Sequence, residues 1–284
     1  MDTVDWAKLD WNLLWKQAKR KKTWKSKKAS DWNNKADSFA KRTASSLYIG
    51  RFLDLLKPRP DWSVLDVGCG PGTLALPLAT RVRRVTGLDF SGRMLEIAEK
   101  KAAKQSIQNI TLHHCAWKDD WQAHSIGRHD VAIASRSLAV ADLKAALVKL
   151  TAHARCLVAV TDRVGAGPFD PDAFAAIGRP LSTGPDYIYT VNLLYQLGYL
   201  PKIDYIELEQ EVCYPDEREA LEGYLWMFRD LDTEERKKLK NYLRSITTLN
   251  GDGSVTIHRR RPPIWAFISW SPFPGQVDTA KNTP

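Results

Sequence analysis

Cysteine is scarce in this 284-residue chain and poorly placed for pairing. Cys69, Cys115, Cys156 and Cys213 lie far apart with no CxxC spacing, which suggests neither a disulfide framework nor a zinc ribbon and fits a reducing cytoplasm. The opening Met1-Asp2-Thr3-Val4-Asp5 lacks the basic start and apolar core of a secretory signal, and no apolar run reaches bilayer-spanning length. A soluble protein with no membrane partner is expected. No internal repeat is visible. Acidic residues are missing altogether between Lys16 and Lys28, where eight basic ones stand: Lys16, Lys19, Arg20, Lys21, Lys22, Lys25, Lys27 and Lys28. They account for eight of the net charge of +9, so the remainder is nearly neutral. With Trp15 and Trp24 beside it, the run reads either as an RNA-binding segment or as a solvated, partly disordered arm.

The chain does hold enough apolar residues, 44%, for one large α/β core with decoration. Helical spacing marks residues 5–22 and 32–56. From Val64 onward strand and helix signals alternate: strand 64–67, helix 73–82, strand 84–89, helix 94–105, strand 110–114, strand 130–134, helix 141–152 and strand 156–161. Such alternation predicts a doubly wound, mostly parallel α/β sheet. A Gly- and Pro-rich stretch, 165–184, reads as loop with a short helix near 173–176. A helix over 187–197, a strand within 203–214, helices over 217–229 and 233–246, and a last strand over 264–270 follow. The expected divisions are an N-terminal helical and basic cap (1–57), a core (58–215), a helical insertion (216–262), the last core strand (263–271) and a disordered tail (272–284).

The strand ending at Asp66 runs into Gly68-Cys69-Gly70-Pro71-Gly72 and then a helix. Glycines permit a sharp turn and close approach of a ligand to the main chain. Asp89 ends the next strand about twenty residues on, where a carboxylate can accept hydrogen bonds from both hydroxyls of a ribose. Either feature alone is weak; in this order they point to a nucleoside cofactor.

The segment Val-Leu-Asp-Val-Gly-Cys-Gly-Pro-Gly-Thr-Leu-Ala-Leu-Pro-Leu-Ala over 64–79 resembles the first motif of class I S-adenosylmethionine-dependent methyltransferases, and Val-Thr-Gly-Leu-Asp-Phe-Ser-Gly-Arg-Met-Leu over 85–95 resembles the second. Dinucleotide dehydrogenases usually carry GxGxxG instead. The resemblance covers 62–162 and implies a seven-stranded Rossmann-like sheet and S-adenosyl-L-methionine as cofactor. It also implies roles: Gly68, Gly70 and Gly72 lining the methionine moiety, Asp89 at the ribose, Phe90 and Met94 on one face of the adenine, and Asp66 and Cys69 among the cofactor-binding residues. Ala116 and Trp117 stand where members often carry an adenine-binding Asp, and Trp117 reads as a stacking ring or as core. Ser135 matches the position facing the sulfonium, with Arg136 and Ser137 toward substrate. Tyr187, Tyr189 and Tyr195 lie where this fold assembles its acceptor pocket, and Tyr187-Ile188-Tyr189 with Tyr205-Ile206-Glu207 is similar to uncharacterised prokaryotic methyltransferase-like proteins.

Because the cofactor carries an activated methyl group, no protein nucleophile is required, and no general base is identifiable. The Asn/Asp-Pro-Pro-Tyr of nucleic-acid amino-methylating enzymes is absent; Ser135-Arg136-Ser137-Leu138 stands there. His113, His114 and Cys115 alternate across a strand, so at most two could converge, and no metal is expected. The reading favours methyl transfer to a small molecule; an RNA methyltransferase and a non-catalytic cofactor-binding protein are the alternatives.

Overall fold

A computed structural model describes residues 8–24, 28–43 and 46–275, without the side chain at 42. Three helices come first, α1 (Trp11–Arg20), α2 (Ala29–Thr43) and α3 (Leu47–Leu56). The alternating part follows as β1 (Ser63–Val67), α4 (Ala75–Ala79), β2 (Arg84–Asp89), α5 (Gly92–Lys104), β3 (Ile110–His114), β4 (His129–Ser135), α6 (Leu143–Ala152) and β5 (Ala154–Arg163). Then come α7 (Pro171–Ala176), α8 (Tyr187–Gln196), β6 (Lys202–Glu207), β7 (Glu211–Tyr214), α9 (Glu217–Leu225), α10 (Thr233–Ser245), β8 (Thr247–Leu249), β9 (Val255–His258) and β10 (Ile264–Trp270).

Seven strands form one sheet in the order β3-β2-β1-β4-β5-β10-β6, parallel except that β10 runs antiparallel to both its neighbours. The fold is thus the mostly parallel, doubly wound α/β sheet. Its central strands β1 and β4 are buried on both faces, and successive residues serve opposite layers. In β4, Ala132 and Ala134 join the core beneath α1, α6 and α8, while Val131 and Ile133 join the core beneath α3 and α4. Side-chain caps start the helices: Asp10, Ser46, Ser91, Asp142 and Asp186 each accept an N–H of the first turn of α1, α3, α5, α6 and α8. Strand order reverses between β1 and β4, which opens a crevice outside their carboxyl ends.

Three local expectations differ from what is observed. The helix over 73–82 contracts to α4, where Pro77 is tolerated because it lies in the first turn. The strand expected within 203–214 is two strands: β6 completes the main sheet, whereas β7 joins β9 and β8 in a separate three-stranded sheet covered by α7, α9 and α10. The basic run departs most from expectation, because its described part is divided: Arg20, Lys21 and Lys28 are exposed, whereas Trp15, Lys16, Lys19 and Trp24 are tied into the fold. Trp15 is 4% exposed in the main core, Lys16 pairs with Asp142, the Lys19 ammonium donates to the Val140 carbonyl, and Trp24 Nε1 donates to Thr183 O at 2.9 Å. Periodicity reported the helix; its partners lie more than a hundred residues away and leave no trace in local charge. Lys25 and Lys27, and the tail beyond 275, lie outside the described residues. Among the described residues no helix is long and apolar enough to cross a membrane.

Candidate active site

Two main-chain bonds tie the turn after β1 to the end of β2: Gly68 N and Cys69 N both donate to Leu88 O, at 2.7 and 2.9 Å. Gly68 adopts φ +78°, and a Cβ there would lie 2.5 Å from Ser137 Cβ, so the missing side chain lets the β4 loop close on β1. Ser137 Oγ seals that contact by donating to Val67 O at 2.6 Å. Gly70, at φ +55°, is different. A Cβ on it would meet only Phe39 Cε1, at 4.0 Å, so this is where the turn offers its backbone to a ligand. Gly72 is closed off by Leu76 and Ala98, and Cys69 is buried against Gly87, its thiol pushed well up by burial. Of the three glycines expected to line the methionine moiety, Gly70 has open space above its backbone, whereas Gly68 and Gly72, with the buried Cys69, shape the turn.

The electrostatics of the crevice centre on two buried carboxylates. Asp89, 6% exposed, accepts Gly70 N at 2.8 Å and Ser91 N at 2.9 Å, one bond to each oxygen. Each oxygen retains a lone pair, and burial raises the pKa against those bonds. Asp66 is 2% exposed, its Oδ2 has no partner, and burial with the nearby Asp89 charge pushes its pKa up to about 7. An orphaned buried carboxylate beside an open glycine and a second carboxylate suits a ligand that brings a positive charge and a diol. S-adenosylmethionine, with its α-ammonium, sulfonium and ribose, fits that description.

Around this centre the other expected residues divide. Phe90 is 38% exposed, next to Asp89, and its carbonyl bonds His114 Nε2 at 3.0 Å. Met94 is taken up instead by helix packing, buried with Ala36, Ala40 and Ile97 between α2 and α5. Ala116 N donates to Asp119 Oδ2, and Trp117 Nε1 reaches Ser137 O at 3.1 Å, so Trp117 links the loops after β3 and β4. Ser135 Oγ bonds Tyr48 OH at 2.6 Å, which also bonds Thr161 Oγ1 at 2.7 Å. The three tyrosines of α8 do not converge on that point. Tyr187 OH bonds Tyr205 OH at 3.0 Å, Tyr189 packs edge-on to Trp11 at 6.0 Å, and Tyr195 is exposed. None shares a hydrogen bond or ring contact with Ser135, Arg136 or the glycine turn.

Sequence reasoning missed the residues supplied by the N-terminal helices. Asn33 accepts from Ser91 Oγ at 2.6 Å, Asp37 pairs with Arg93, Phe39 faces Gly70, and Tyr48 sits under β4 and β5. No motif surrounds any of them. Cys115, Asp119 and His124 bring three ligand-type atoms within 4.8 Å of one another, a grouping on which the strand-based argument about His113 and His114 had no bearing. A recess of about 410 Å³ bounded by Lys8, Leu9, Asp10, Asn12, Lys144 and Gln196 shares no residue with the crevice.

Comparison with known proteins agrees with this geometry. Residues 64–157 match the model of a methyltransferase domain. An uncharacterised protein of Haemophilus influenzae is 33% identical over 244 residues, covering 84% of this chain and 88% of its own. Shorter matches are to nocamycin O-methyltransferase of Saccharothrix syringae, 35% identical over 47% of this chain and 48% of that one, and to the 23S rRNA uracil-C5-methyltransferase RlmD of Alcanivorax borkumensis, 40% identical over 23% of this chain and 14% of that one. The fold is like that of a candidate methyltransferase of Bacillus halodurans, with TM-score 0.54, 10% identity, and 79% of this chain and 98% of that one covered. Motif, sheet and relatives converge: the chain belongs to the class I S-adenosylmethionine-dependent methyltransferases.

Proposed function

We propose that this methyltransferase acts on a small-molecule acceptor held outside the carboxyl ends of β4 and β5 and the amino end of the antiparallel β10. The observation that carries this reading is the fate of the basic run. Trp15 is buried and the Trp24 ring is packed 5.6 Å from Phe169, so neither ring is free to stack on a base. Lys16 and Lys19 are engaged with the loop between β4 and α6, and burial with the charges of Lys19 and Arg163 brings Lys22 down to about 8. Engagement of both rings and of Lys16 and Lys19 within the fold supports a small acceptor over RNA, while Arg20, Lys21 and Lys28 are exposed. Among relatives with named acceptors, nocamycin O-methyltransferase matches over 141 residues, and rRNA enzymes match over 65, 77 and 74.

In this reading Gly70 presents its backbone to the cofactor, Asp89 accepts the ribose hydroxyls and Asp66 faces the ammonium. Gly68, Cys69 and Gly72 hold the turn, Phe90, Ala116 and Trp117 border the adenine, and Ser135 lies beside the methyl. S-adenosylmethionine supplies an activated methyl on sulfur, so the acceptor atom attacks in line and the protein contributes position and exclusion of water. Tyr48 is held neutral, its pKa raised by burial, and orders the Ser135 and Thr161 hydroxyls rather than removing a proton. The test offers purified protein and methyl-labelled cofactor to the small molecules of a cell extract and, separately, to total RNA. Label is expected in a small molecule; label in RNA alone overturns the reading.

A further inference from the structure

Arg136 stands just past β4 with five N–H donors on its guanidinium. The side chain makes no hydrogen bond or ion pair with any described residue; its recorded contacts are with two rings. The guanidinium carbon lies 4.0 Å from the centroid of Tyr48 and 5.8 Å from that of Trp265. Arg136 is half-buried, and two more deeply buried arginines have polar partners. Arg163 donates to Pro185 O, and Arg259 donates to Phe169 O and lies 3.6 Å from Asp170.

The position is also held, not incidental. Arg136 has φ +54°, which an L-residue seldom adopts, and its N–H is pinned by Thr161 O and Oγ1 at 3.3 and 3.0 Å. Tyr48 has no exposed surface, and its hydroxyl is fixed by Ser135 and Thr161. The Tyr48 and Trp265 rings stand edge to face, 6.5 Å apart. A cation is therefore oriented in an aromatic slot with all its directional bonding unspent. Trp265 lies on β10, two strands beyond β4 and so about 10 Å along the sheet. The guanidinium lies between those elements, against Tyr48 of α3 and within 5.8 Å of the Trp265 ring centroid.

We propose that Arg136 receives an anionic group of the acceptor, a carboxylate or phosphate, so that the molecule methylated is an acid. The planar fork matches either group bidentately, and stacking on two rings preserves its orientation while the acceptor binds. Burial lowers the Arg136 pKa, the cost expected of a cation waiting for its counter-ion. This inference rests on the small-molecule reading.

The test uses the full chain with methyl-labelled S-adenosylmethionine and the small molecules of a cell extract, split by anion exchange into retained and unretained fractions. Wild type is run beside Arg136→Met and Arg136→Lys. Label should enter the retained fraction. Arg136→Met should raise the apparent KM for that fraction about thirtyfold or more with kcat within about threefold, Arg136→Lys should fall between, and S-adenosylhomocysteine affinity by calorimetry should stay within about threefold in both. Label confined to the unretained fraction, or an unchanged KM in Arg136→Met, overturns the inference and leaves small-molecule methylation standing. If Arg136→Met loses affinity for S-adenosylhomocysteine but not for methylthioadenosine, which lacks the amino-acid portion, the guanidinium serves the cofactor's carboxylate and the inference fails. Label in neither fraction removes the small-molecule reading and this inference together.

Discussion

Asp66→Asn should make the cofactor-free protein more stable above neutral pH and less stable in acid. An ordinary Asp titrates near 3.8, and burial beside Asp89 moves this one to about 7. Between those values the unfolded chain has given up the proton that the folded chain keeps. Wild-type stability therefore falls as pH rises through that window, by about 1.4 kcal/mol per pH step and about 4 kcal/mol in all. Asn removes the titration but leaves a buried amide short of partners, at about 1–3 kcal/mol. At pH 8 the variant should be more stable than wild type by about 1–3 kcal/mol, and at pH 4 less stable by a similar amount. His129 titrates over the same range in the opposite sense. Neutral in the fold, with ring nitrogens bonded to Gly127 O and Thr86 Oγ1, it is pushed down to about 4, so its contribution is lost as pH falls from about 6.5. Both chains carry His129, so the difference between them isolates Asp66. Thermal melts of the two apo proteins at several pH values should show Tm differences that change sign and span about 8 °C, at roughly 2 °C per kcal/mol. A difference constant with pH would refute the buried, unpaired carboxylate. With the cofactor's ammonium supplying the missing partner, binding of S-adenosylhomocysteine below pH 7 should also release a proton, read by calorimetry in buffers of different ionisation enthalpy.

Asp89→Ala should weaken S-adenosylhomocysteine binding by about 2–4 kcal/mol, thirtyfold to a thousandfold, by calorimetry; unchanged affinity would place the ribose elsewhere. Gly68→Ala drives a Cβ into Ser137 and should lower stability by about 2 kcal/mol or more, whereas Gly70→Ala, with open space around it, should cost less stability and more cofactor affinity. Equal stability losses in urea titrations would contradict that division. Trp15→Ala should cost about 3–5 kcal/mol, since α1 is core; a change under about 1 kcal/mol would return the basic helix to the status of an arm.

The cofactor half of the crevice was legible because its chemistry is local: a strand, a glycine turn and a helix are consecutive, and Asp89 lies one βα unit later. The acceptor half was not, because it is assembled across the sheet. Nothing near Tyr48 announces that α3 will carry it beneath Ser135 and Thr161, and nothing near Trp265 announces that β10 will slot in beside β5. Met94 shows what a motif leaves out: its place suggested the adenine, and its packing against Ala36 and Ala40 of α2 depends on the whole surface of a helix rather than on any short pattern. The tyrosines of α8 were grouped by the place of their segment in the family's fold, which reports the neighbourhood of a pocket but not which way each ring turns.

The late position of β10 bears on the order in which the molecule can assemble. β5 and β6 both pair with β10 and not with each other, and everything from β7 to β9 lies between β6 and β10 in sequence. Until β10 inserts, each presents an unpaired edge, so the growing chain carries two sticky flanks through the synthesis of the small sheet. Closing that gap requires β10 to pair with β5, more than a hundred residues back, and with β6, about sixty back, a slow kind of step. Trp265 arrives on that same strand, so the chain can acquire the glycine turn, Asp66 and Asp89 while the acceptor slot is still unmade. A maturing chain would bind nucleoside before it could select what to methylate.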